Sequence, residues 1–267
     1  MYSSIENIKK LSQKRKKIKL GKINFINTEP LYFFLDKNKY KLISGAPKEL
    51  YKKLLEENLD VAPVPSYAYL KNIKNKLENI FKLIKGISVS GSKEVMSVCL
   101  YSKSKDIKNI KRIYVTPLTT TSIELLKIIL KRFHKNVKFT KNKKNADALL
   151  LIGDEALFFF KSEEKKIYKY KLDLAKAWYK LYKLPFIFAV FLFNKRKLKT
   201  QFFIKRDMKI SKKLCYRNID ILVEKIIKNL NLETSLKSYL KKYYKVMNYD
   251  FSYKHYLSLK LFEFLST

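Results

Sequence analysis

The stretch LLLIGDEALFFF, Leu149–Phe160, places a Gly-Asp-Glu triplet between two strongly apolar runs. It reads as a buried strand that ends at Gly153, followed by a helix in EALFFF. Asp154 is expected to cap that helix, and Glu155 to sit in its first turn, where the helix dipole favours an acid. An acid pair leaving a core strand can also contact a ligand or act in catalysis, but only if the strand ends at a cleft. The rest of the chain decides between these roles.

Strand and helix alternate outward from this unit. IKLGKINFI (18–26) is β-like and NTEPL (27–31) a turn, and YKLISGAP (40–47) gives a second strand ending at Gly45. Pro47 suits the first turn of a helix that carries Leu50, Leu54 and Leu55 on one side. LDVAPVPSYAYL (59–70) is a buried strand yielding to helix at Pro65 and Ser66, and EVMSVCLYS, RIYVTPL and ADALLLIGD are further strands. Strands separated by helices predict an α/β fold with largely parallel pairing. IDILVEKIIKNL (219–230) and SLKSYLKKYYKVM (235–247) repeat apolar residues at helical spacing, which predicts a C-terminal helical cap.

The 267 residues carry 59 Lys and Arg against 23 Asp and Glu, a net charge of +36. The basic residues are mostly Lys and are spread along the whole chain. A nucleic-acid site concentrates on one face and leans on Arg, so no nucleic-acid partner is expected. Residues 1–18 read as a basic arm. They lack the apolar core of a secretory signal, and the apolar run Leu184–Phe193 contains Pro and is too short to span a bilayer. Cys99 and Cys215 stand far apart among apolar neighbours, which indicates no disulfide framework or zinc site. A soluble protein of the cytoplasm, needing no metal or cofactor, is the expectation.

Absent motifs narrow the chemistry. No Walker loop, dinucleotide fingerprint or zincin pair occurs. His134 and His255, both flanked by Lys, are expected at the surface, and no Ser-His-Asp or Cys-His arrangement can be built from the spacing. What remains is a set of small polar residues at strand ends, where open α/β sheets bind ligands. Asn27 and Thr28 end the first strand, Pro65 and Ser66 the third, and Thr119, Thr120, Thr121 and Ser122 follow RIYVTPL. Thr121 with Glu124 reads as a capping box, and the same helix start offers amides and hydroxyls to a carboxylate.

Taken in order, GKINFINTEPL, LDVAPVPSYAYL, GISVSGSKEVMSVCLYS, TTTSIELL, ADALLLIGDEAL, YKLDLAKAWYKLYKLPFIFAVF and YLKKYYKVMNYDFSYKHYLSLKLFEF resemble the chorismate dehydratases of the futalosine route to menaquinone. The resemblance covers residues 19–265. Each motif alone is weak, but seven in order are specific. INFINTEPL is similar to this family's Y-L-N-x-x-P-L. The departures are Lys183, where the family's T-G-L-P-F has Gly, and Phe191, where a Trp follows F-A-V.

The resemblance implies a type 2 periplasmic-binding-protein-like fold with two lobes and a central cleft. Its crossing strands would lie near Val98–Ser102 and Phe186–Phe193. The first lobe would comprise 19–101 with 190–267, and the second 102–189. The implied substrate is chorismate, losing water to give 3-[(1-carboxyvinyl)oxy]benzoate. Asn27 would meet the departing hydroxyl, and Ser97, Thr121 and Ser122 would clamp carboxylates. Thr28, Ser66, Thr119 and Thr120 are further candidates for binding substrate, and Asp154 would shape the cleft wall. None of Asn27, Ser97, Thr121 and Ser122 titrates near neutrality, so the substrate's own side-chain carboxylate would take the proton. A non-catalytic carboxylate carrier on the same fold is the alternative.

Overall fold

The computed structural model describes residues 17–266 except 75, 118, 134 and 135. The basic arm up to residue 16 and His134 therefore lie outside the described residues.

Two mixed sheets form the body. The first takes β1 (Ile18–Ile23), β2 (Tyr40–Gly45), β3 (Val61–Pro65), β4 (Phe81–Gly91), β10 (Phe186–Asn194) and β11 (Met247–Asn248), in the order β11-β4-β10-β3-β1-β2. The second takes β5 (Val98–Ser102), β6 (Arg112–Val115), β7 (Lys138–Thr140), β8 (Ala148–Ile152) and β9 (Tyr170–Asp173), in the order β7-β6-β8-β5-β9. Both sheets share one plan, with β10 in the first and β5 in the second inserted between strands of their own lobe.

The predicted parallel pairing holds for β1 with β2 and β3, and for β6 with β7 and β8. The inserted strands run antiparallel to both neighbours, because each arrives from the other lobe. The placement of these strands also differs from the expected lobe boundaries. All of β5 lies in the second sheet and all of β10 in the first, so the chain changes sheets between Gly91 and Val98 and again between Asp173 and Phe186.

Strands β3, β5 and β8 are buried at every position, as apolar strands covered on both faces must be. Helices supply the cover: α1 (Glu29–Tyr32), α2 (Pro47–Leu55), α3 (Ser66–Ala68), α4 (Thr121–Lys131), α5 (Gly153–Leu157) and α6 (Leu174–Tyr182) follow the strands. The C-terminal cap contains α7 (Leu198–Arg217), α8 (Ile219–Asn229), α9 (Lys237–Val246) and α10 (Tyr253–Leu265). One apolar core runs through both lobes, and a smaller one around Cys99, Tyr101, Leu149 and Phe159 covers the outer face of the second sheet.

Trp178 on α6 is fully buried and binds the lobes together. Its Nε1 donates to Ser258 Oγ of α10 at 3.0 Å, and its ring meets Phe186 and Phe262 edge-on. His255 corrects the expected surface placement. It is buried, its Nδ1 accepts from the Ser252 amide that opens α10, and its Nε2 reaches Ser90 Oγ at 3.2 Å. Burial holds its pKa below the usual histidine value, which keeps it neutral at pH 7.

Candidate active site

The carboxyl ends of β1, β3, β6 and β8 face one another across a cavity between the lobes. The first lobe contributes Phe25 and Asn27 beyond β1, Pro47 at the start of α2, and Pro65 at the end of β3. The second contributes Thr119, Thr120, Thr121 and Ser122 at the start of α4, with Ile152 and Gly153 at the end of β8. Val89, Val95, Val98 and Phe188, from the strands and links that cross between lobes, line the floor.

The cavity has an apolar body and a polar arc formed by Asn27 and the start of α4. Three buried side-chain polar atoms among the described residues have no hydrogen-bond partner: Asn27 Oδ1, Thr120 Oγ1 and Tyr243 Oη. The first two belong to residues that line the cavity, one from each lobe. A buried polar atom left unpaired costs about 1–3 kcal/mol, so two residues that each carry one on the same cavity wall point to a polar ligand there. The α4 N-terminus adds its dipole and amides, a setting that favours an anion. Among the described residues no Asp, Glu, Lys, Arg, His, Cys or Tyr lines the cavity. Lys48 stands beside Pro47 and donates to Pro117 O across the lobes at 3.1 Å. The surface hollow edged by Lys105, Lys108 and Lys180 is lined by none of the residues with an unpartnered buried atom.

The other candidates stand behind the wall. Thr28 is fully buried, with its hydroxyl donating to Ile23 O and Phe25 O, each at 3.2 Å, which closes the turn that carries Asn27. Ser66 Oγ donates to Ile187 O at 2.7 Å and pins the end of β3 to β10. Ser97 Oγ donates to Val95 O at 3.2 Å, while its carbonyl accepts from Gly153 N at 2.7 Å. These hydroxyls shape the backbone around the cavity and do not line it.

The expected capping box is not formed. Thr120 occupies the N-cap position without a side-chain bond, Thr119 Oγ1 accepts from Ser122 N at 3.3 Å, and Glu124 pairs with Lys127. Thr121 Oγ1 accepts from Tyr67 N of the first lobe at 3.2 Å, so it serves closure and not its own helix. Asp154 also departs from local capping: α5 begins at Gly153, with Ile152 as its N-cap. The Asp154 carboxylate instead accepts from Ile26 N of the first lobe at 3.1 Å and lines a separate hollow with Lys22, Glu29 and Lys225. Its pKa is raised to about 6, chiefly by burial; the Ile26 amide opposes the rise and the charge of Glu29 adds to it. Spacing could not reveal these bonds, because both join residues far apart in sequence. Phe25 and Phe188 were also missed, since aromatic residues recur throughout the chain and carry no local signal.

Gly153 is required by geometry. Its φ is +63°, and a Cβ there would lie 2.6 Å from Phe25 Cδ1. The two lobes touch at this point.

Fold and cavity together define a two-lobed protein with a periplasmic-binding-protein-like fold. A solved Candida albicans structure, described as defining a family with the generic periplasmic-binding-protein fold, aligns with a TM-score of 0.63 at 14% identity, over 95% of this chain and 92% of that one. The chain belongs to the family described as menaquinone biosynthesis, matched over residues 18–265. A chorismate dehydratase of Thermus thermophilus is 26% identical over 194 residues, 66% of this chain and 69% of that protein. One from Campylobacter jejuni is 24% identical over 247 residues, 84% of this chain and 95% of that protein.

Proposed function

We propose that this protein is a chorismate dehydratase, a carbon-oxygen lyase acting in the cytoplasm on the futalosine route to menaquinone. The observation that carries this reading is the cavity wall, where Asn27 and Thr120, each with an unpartnered buried polar atom, stand with a helix N-terminus and, among the described residues, no titratable side chain. The family match and the two relatives support it. The segments joining the sheets, 92–97 and 174–185, serve as the hinges between the lobes.

Chorismate is a dianion, and the site meets it with dipoles. The start of α4 and its hydroxyls hold a carboxylate, and Lys48 on the rim adds positive charge. The reaction removes the ring hydrogen on the carbon that bears the enolpyruvyl ether. The electrons of that C–H bond become a ring double bond as the neighbouring C–O bond breaks, and the hydroxyl leaves as water with the same proton, handed on by the substrate's own carboxyl group. Aromatisation drives the step, so a strong protein base is unnecessary. The enolpyruvyl carboxylate takes the proton, and the enzyme acts by holding it against the reacting carbon, a contribution of several kcal/mol, within the roughly 7–11 that orientation can supply. The Asn27 amide, with both a donor and an acceptor, meets the departing hydroxyl.

Incubating the protein with chorismate and following both substrate loss and the aromatic enolpyruvyl ether tests the assignment. Product in molar excess over protein is expected. Asn27→Ala should lower turnover about 100- to 1,000-fold while chorismate affinity changes much less. Near-normal turnover by this variant would remove Asn27 from the chemistry. Chorismate binding without turnover in the unaltered protein would instead identify a carboxylate carrier.

A further inference from the structure

Asn27 stands on the single helical turn Ile26–Thr28, and the first lobe does not hold that turn completely. Its carbonyls are fixed from within the lobe: Tyr244 donates to Ile26 O at 2.8 Å and Tyr249 to Asn27 O at 2.6 Å. Its leading amide is not. Ile26 N donates to Asp154 Oδ1, which lies 128 positions away on the second lobe. The neighbouring Gly153 leaves room for Phe25 at the same junction, so contact between the lobes and the orientation of the turn are one event.

We propose that Asp154 is a positioning residue: its carboxylate latches the second lobe onto the Ile26 amide and holds Asn27 in its working orientation only while the cleft is closed. The chemical consequence rests on the dehydratase reading, whereas the latch rests on geometry alone.

The groups around the carboxylate define how it responds to pH. Glu29 of α1 faces it and is paired with Lys22 of β1 at 2.6 Å. Lys225 of α8 lines the same hollow, and the phenols of Tyr243 and Tyr244 on α9 lie within electrostatic reach. With its pKa raised to about 6, Asp154 is an anion at pH 7.5 and accepts the amide strongly. Below about pH 6 the neutral acid is a weaker acceptor.

The test compares the unaltered protein with Asp154→Ala and Asp154→Asn by chorismate turnover and by amide hydrogen exchange over residues 25–28 without substrate. The Ala variant should lose kcat about 10- to 100-fold, the scale of a slightly misplaced catalytic group, with KM changing by less than about threefold. Its Ile26 amide should exchange faster. The Asn variant keeps a carbonyl acceptor and should recover both kcat and protection, and it should lack the fall in kcat that the unaltered enzyme shows below pH 6. An Ala variant with normal kcat and a protected Ile26 amide overturns the latch, and so does an Asn variant as impaired as Ala. If the unaltered protein leaves chorismate unchanged, the dehydratase reading fails, and exchange at Ile26 still decides the latch.

Discussion

Asp173 uses both carboxylate oxygens on backbone amides. Oδ1 accepts from Lys176 N at 3.0 Å and caps α6, while Oδ2 accepts from Val95 N at 3.0 Å and Met96 N at 2.6 Å in the first link between the sheets. Met96 has a φ of +58°, a conformation that costs a non-glycine residue about 1–2 kcal/mol and persists here because Asp173 holds its amide. Asp173→Ala removes a cap and leaves buried donors unpaired, so it should lower stability by about 2–4 kcal/mol, read as a fall in the urea midpoint at unchanged slope. Asn27 and Thr120 show the opposite: each lines the cavity and keeps one buried polar atom unpaired. One residue secures the frame, and the other two are poised for a ligand.

At the scale of elements, Lys183 ends α6 in the left-handed region, φ +57° and ψ +24°, with its amide bonded to Tyr179 O at 2.9 Å. This is the helix-end position that glycine fills at least cost, and the side chain is exposed. Lys183→Gly should therefore raise stability by about 0.5–1 kcal/mol, measured by urea unfolding, without altering turnover. Elements built on local patterns were legible in the sequence. The strand Ala148–Ile152, the Pro-led α2 and the apolar repeats of α8 and α9 all form as their spacing predicts. The 20-residue α7 was not read, because its buried stripe of Ile204, Met208, Ser211 and Cys215 is thin and lies among Lys, Arg and exposed Phe202 and Phe203. Ser211, polar yet fully buried, interrupts the apolar signal in order to bond Pro30 O and Phe34 N. The start of α4 was legible as a candidate site, but the partners of Thr121 and Asp154 were not, because they sit on the opposite lobe.

Across the whole molecule the net charge of +36 contrasts with a cavity whose lining, among the described residues, has no ionisable side chain. The positive field should attract a dianion to the cleft without entering the chemistry. With chorismate as substrate, raising salt from low to about 0.5 M should increase KM several-fold and leave kcat nearly unchanged, since screening acts on approach and binding. A parallel fall in kcat would assign the surface lysines a part in the chemistry itself. Among the described residues no helix is long and apolar enough to cross a membrane.

The exchange of β5 and β10 between sheets also sets an order of assembly during synthesis. All strands of the second sheet are available once residue 173 has left the ribosome. The first sheet must wait for β10, its bridge between β3 and β4, although β1 to β4 were made long before. During that interval β3 and β4 have open edges, a hazard for a growing chain. The lobe begun first is thus the lobe finished last, and the nascent protein acquires its second half before its first is whole.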